Sequence, residues 1–226
     1  MSSSVGRGDP VRPLLIAATV TVATLGVAVE VAARIWPALP DTVVAALSLS
    51  YEGNVPTWFA AVLLFACAQE LAAIARRASD TGDRWRLHWW VLAIGFVLIS
   101  LDEVVGMHEL LSLPFDYSGV LYFGWVIPAA VLVAVLAIAY ARFLIALPAP
   151  LRNRFVLAGA LYVGGAVGME LPLGAVTDAQ GDDSLAYALI DAVEETLELV
   201  GAGILLSAVR PVSRSASMPG HAASTT

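Results

Sequence analysis

The sequence predicts an all-α polytopic membrane helix bundle of six transmembrane helices with both termini cytoplasmic. Three observations carry that prediction. Of the 226 residues, 59% are hydrophobic and only 14% charged, a balance too apolar for the surface of a soluble domain of this size. Six apolar runs reach the roughly 20 residues that a helix needs to cross a bilayer core. All twelve basic side chains are arginine, and eleven of them gather at the ends and alternate connections that six spans would place on one side.

The runs are 13–36, 55–77, 88–111, 119–147, 154–176 and 185–209. The first follows Arg7 and Arg12 as a signal peptide would, but it is long and five further spans follow, so it reads as a retained helix. The second opens on "EGNVPTWF", where Asn54 is placed to cap and Pro56 falls in the first turn. In the third, the apolar "HWWVLAIGFVLI" runs without a break into "SLDEVVGMHELL", and the whole reads as one helix to Leu111. Pro128 in the fourth and Pro172 in the fifth are expected to bend their helices. Gly164 and Gly168, four apart, let the fifth helix approach a neighbour closely. The polar ends, 1–12 and 210–226, are expected to be disordered cytoplasmic tails on a single transmembrane domain, 13–209. His221 falls in the second tail, and the lone Cys67 leaves no disulfide to form within the chain.

Alternating spans put Arg7, Arg12, Arg76, Arg77, Arg84, Arg86, Arg142, Arg152, Arg154, Arg210 and Arg214 on the cytoplasmic side, with only Arg34 outside. Trp36, Trp58 and Trp125 then fall near outer ends and Trp85, Trp89 and Trp90 near an inner one, as interfacial anchors should. The absence of lysine and the abundance of alanine and valine suggest a GC-rich bacterial gene, and hence the inner (plasma) membrane of a bacterium.

The acids are the unusual feature. Asp102, Glu103 and Glu109, with His108 among them, lie in the outer half of the third run. Glu170 lies near the outer end of the fifth, and Asp191, Glu194, Glu195 and Glu198 lie in the outer half of the sixth. An acid at a helix centre costs roughly 2.5–3.5 kcal/mol to insert, so the group demands compensation. Arg34 stands four residues after Glu30 and is expected to pair with it alone; Glu70, toward the inside, is expected to lean on Arg76 and Arg77. The remaining acids must be protonated and hydrogen-bonded, face a water-filled cavity, or bind a cation. Asp191, Glu195 and Glu198 follow a 4, 3 spacing along one stripe, flanked by Glu194, and Asp102, Gly106 and Glu109 share that spacing. Antiparallel packing of the third and sixth helices would bring Asp102 level with Glu198 and Glu109 level with Asp191.

Carboxylates with a histidine suit a divalent metal, and Asp102, Glu103, His108, Glu109, Glu170, Glu194, Glu195 and Glu198 are the candidate ligands of an unidentified ion. The Glu-x-x-His pairs of di-iron bundles are missing, and one histidine is too few for a multi-histidine zinc hydrolase. The same residues suit protons, as in a proton- or cation-coupled small transporter, or general acid chemistry on a lipid or small-molecule substrate. A membrane scaffold with structural buried acids is the third reading. No nucleotide, phosphate or serine-nucleophile motif is present, and the arginines are explained by topology, so the bilayer is the expected partner and nucleic acid is not. At "EGNVPTWF", "SLDEVVGMHE", "GGAVGMEL" and "EETLELVG" the chain resembles a group of uncharacterised six-span bacterial membrane proteins with acidic intramembrane motifs, over residues 13–209. That resemblance implies an architecture and a choice of residues, and no activity.

Overall fold

A computed structural model describes residues 11–108 and 117–215, which are helical with no strand among them. The helices are α1 (Val11–Ile35), α2 (Asp41–Leu47), α3 (Val55–Asp80), α4 (Arg86–Val105), α5 (Val126–Ala146), α6 (Ala149–Val163), α7 (Glu170–Gln180) and α8 (Leu185–Ser215). A π-helical segment, Gly164–Met169, joins α6 to α7 without a break. Five of these elements are long and apolar enough to cross a membrane: α1, α3, α4, α5 and the joined Ala149–Gln180. The large apolar side chains that face outward, such as Ile138 and Leu132 on α5, fit a lipid surroundings rather than water.

The core lies along α3, where Leu64, Cys67 and Leu71 are fully buried against Leu199 and Val209 of α8. Toward one end, Phe143 is enclosed by aromatic rings. Trp85, Trp89 and Tyr140 meet it edge-on at 5.6, 4.9 and 5.6 Å, and His88 stacks on it at 5.4 Å. Trp89 is therefore a core side chain and not the interfacial anchor its position suggested, because its ring completes this cluster.

Several boundaries differ from the sequence reading. The third run ends as a helix at Val105, not Leu111: Gly106 takes the left-handed conformation (φ 63°) and its N–H closes on the Asp102 carbonyl at 2.7 Å. The fourth span starts at Val126, so Pro128 falls in its first turn, where no helical hydrogen bond is lost and no bend is required. The residues before it instead form a 3-10 turn, Gly119–Leu121, tied to α7 by Gly119 N–H donating to Asp178 at 3.0 Å. Around Pro172 the helix widens into the π segment that ends at Met169. At the C-terminal side α8 continues through 210–215, a stretch expected to be tail, because Arg210 and Ser213 pack back onto Glu70.

Small residues set the closest approaches, but not those the spacing singled out. A Cβ on Gly164 would meet nothing within 4 Å, and one on Gly168 only the Val163 carbonyl at 3.9 Å. On Gly165 it would lie 2.8 Å from the Glu194 carbonyl oxygen and 2.9 Å from Glu198 Cγ. Gly201 of α8 meets Ala158 O and Tyr162 N at 2.8 Å in the same way. The α6–α8 contact thus rests on Gly165 and Gly201, and it holds the acidic stretch of α8 against the π segment.

Candidate functional site

The Glu30 and Glu70 carboxylates are internally matched. Arg34 reaches Glu30 at 2.7 Å, as the spacing predicts, and Ser48 Oγ donates to the other oxygen. Glu70 accepts from Ser213 and faces Arg210 Nε at 3.7 Å. These partners come from α8 and not from Arg76 and Arg77.

The end of α4 is built by the acid at its last turn. One oxygen of Asp102 accepts the His108 backbone N–H at 2.8 Å, and the other lies 2.9 Å from His108 Nδ1. The chain can fold back on itself only because Gly106 supplies the positive φ between them. His108 then rests against Trp125, ring centroids 4.8 Å apart.

Above this turn, a cavity of about 350 Å³ is enclosed by the segment after α2, the start of α3, the end of α4, the α6–α7 unit and α8. The sequence-selected Asp102, Glu103, His108, Glu170, Glu194, Glu195 and Glu198 all line it. Glu109 lies outside the described residues. The α8 stripe faces inward as its 4, 3 spacing requires, while the other half of the expected ladder changes: Asp102 is engaged by His108, and Glu103 is the α4 acid that neighbours Glu195 and Glu198.

The electrostatics of this cavity are one-sided. Eight carboxylates and one histidine line it, and no arginine is among the described lining residues. Two unit charges about 5 Å apart repel by about 3 kcal/mol at an effective dielectric of 20. Glu170, Asp191 and Glu194 are only 8%, 9% and 8% exposed, and each holds one buried carboxylate oxygen with no hydrogen-bond partner. Such groups are costly unless something positive or hydrogen-bonding meets them.

The arrangement does not gather ligands around a point. Among the described residues, no three His, Cys, Asp or Glu side chains form a group that would hold a metal ion. Acids sit on several walls of a space far larger than one ion.

The sequence reading did not select Trp125, Tyr162 or Tyr187, yet all three rings line the cavity, and it left Asp191 out of the ligand set. Helical spacing carried the signal. Tyr187 stands four residues before Asp191 at the head of the α8 stripe, and Tyr162 and Ala166 precede Glu170 in steps of four. Trp125 had been assigned to the interface, where tryptophan is common; its contact with His108 arises from a turn that no periodicity reveals.

No curated protein and no solved structure matches the chain. A family model described as "Domain of unknown function (DUF8692)" matches residues 14–211, and the chain belongs to that uncharacterised family.

Proposed function

We propose that this chain is a multi-pass protein of a bacterial inner membrane that takes up cations, protons included, on the carboxylates of its cavity. In this reading α8 is the sixth span. Its 31 residues are long enough to cross, and its acids turn to the cavity instead of to lipid. Both termini are then cytoplasmic by the arginine distribution, and the cavity opens toward the outer side. The activity this supports best is proton- or cation-coupled transport of a small molecule. One observation carries the reading: Glu170, Asp191 and Glu194, each more than nine-tenths buried and each with one carboxylate oxygen lacking a hydrogen-bond partner, line a cavity with no lining arginine among the described residues.

A divalent metal is the second reading, favoured by the Asp102–His108 pair. A carboxylate that holds one ring nitrogen of a histidine is how many metal sites orient the other nitrogen toward the ion. The ligand geometry around it gives no further support.

Infrared difference spectroscopy between acidic and alkaline buffer tests the proton reading directly. The wild-type protein is expected to show a reversible band from protonated carboxyl groups that shrinks in Glu194→Gln and in Glu170→Gln. Absence of any such band in the wild type would show that the acids do not exchange protons with solvent, and the scaffold reading would replace this one.

A further inference from the structure

Resting on the cation-uptake reading, we propose that the cavity's ligand is a small organic ammonium ion held between carboxylates and aromatic faces. Size is the first argument. About 350 Å³ falls in the range of small-molecule pockets. A bare ion or a proton would leave most of that volume to water.

The second argument is the distribution of charge. Inorganic divalent ions require ligands that converge on a point, and the described side chains offer no such group. A diffuse organic cation needs instead a negative enclosure with apolar faces.

The third is the pairing of rings with acids. Trp125 stands beside Glu170, Tyr187 one turn before Asp191, and Tyr162 beside Glu198. Three of the acids thus have an aromatic ring at hand, and acids with rings are the combination that recognises methylated or alkylated ammonium groups. The Trp125 ring is also positioned, since His108 packs on it at 4.8 Å and Asp102 fixes His108 at 2.9 Å. The carboxylates of Glu170, Asp191 and Glu194, which line the cavity on side chains more than nine-tenths buried and each lack a hydrogen-bond partner on one oxygen, are then the groups that the cation neutralises.

Ammonium chemistry of this kind is found both on free solutes and on lipid headgroups. The probe is tetramethylammonium, titrated calorimetrically into the full chain in nanodiscs of phosphatidylglycerol, with tert-butanol as an uncharged molecule of similar size. Saturable binding of tetramethylammonium, with none of tert-butanol, is expected. Affinity should fall about ten-fold or more in Trp125→Leu and in Glu194→Gln, stay within a few-fold in Trp125→Phe, and remain unchanged in Glu70→Gln. In phosphatidylcholine nanodiscs, a weaker apparent affinity would identify the headgroup as the natural source and an unchanged one a free solute; both support the ammonium assignment. Equal binding of tert-butanol overturns the proposal. No tetramethylammonium binding by a protein that retains its infrared response to pH also overturns it, while leaving proton uptake standing. Loss of both overturns the cation reading itself.

Discussion

Asp102 accepts the backbone N–H of His108 at 2.8 Å with one oxygen and faces its Nδ1 at 2.9 Å with the other. A single carboxylate thereby ends α4, turns the chain and aims an imidazole at Trp125. Asp102→Ala is expected to destabilise the protein by about 1–2 kcal/mol, the value of a charge-assisted contact in a half-buried setting. Asp102→Asn retains an acceptor for the backbone and should lose less. Amide hydrogen exchange at His108 checks this: it should accelerate in Asp102→Ala and remain slow in Asp102→Asn. Equal protection in both variants would mean that the turn is held by something else.

Gly164, singled out by its spacing, and Gly165, which meets α8, should behave differently. Gly165→Ala pushes a methyl group against the Glu194 carbonyl at 2.8 Å, a backbone atom that yields only if α8 moves. A loss of about 1–3 kcal/mol in thermal unfolding is expected. Gly164→Ala meets nothing within 4 Å at a helical backbone (φ −63°), and should be neutral or stabilising by up to about 1 kcal/mol. If Gly164→Ala proves the more harmful, the α6–α8 contact is misplaced.

Glu70 tests whether the acids divide into two kinds. Its partners Ser213 and Arg210 make it structural, so Glu70→Ala should cost about 1–3 kcal/mol in stability while leaving proton uptake intact. Loss of the infrared carboxyl response in Glu70→Ala would place it in the functional set.

Glu194 is the opposite case. Replacing its carboxyl group relieves a buried acid that lacks a partner on one oxygen and stands among other acids, so Glu194→Gln should raise the melting temperature by about 2–4 °C, the shift for roughly 1 kcal/mol in a chain of this size, while reducing the uptake response. A lower melting temperature would mean that the carboxylate is stabilising as it stands.

The two kinds of acid also show what the amino-acid pattern reveals. Helical faces were legible because burial follows a fixed period: the stripe Asp191, Glu195, Glu198 turns inward as its spacing requires, and Arg34 meets Glu30 one turn away. Asn54 caps α3 by accepting Thr57 N–H at 3.1 Å, a local rule satisfied locally. What failed depended on contacts distant in the chain or on a change of conformation. The Gly106 turn ended a helix that the pattern would carry to Leu111, Arg210 replaced nearer arginines beside Glu70, and Gly165 rather than Gly164 met α8 within the π segment. The aromatic half of the cavity was hidden because rings at helix ends suit an interface as well as a pocket.

Cation uptake on the carboxylates of this cavity should be accompanied by proton release. Purified protein in weakly buffered solution near the midpoint of its infrared carboxyl response is given tetramethylammonium, sodium or manganese chloride, and the pH is followed. If cations compete with protons at Glu170, Asp191 and Glu194, at least one salt should release protons in proportion to protein, and the Glu170→Gln, Glu194→Gln double variant should release few or none. Silence from the wild type with all three cations, or equal release from the double variant, would contradict the account.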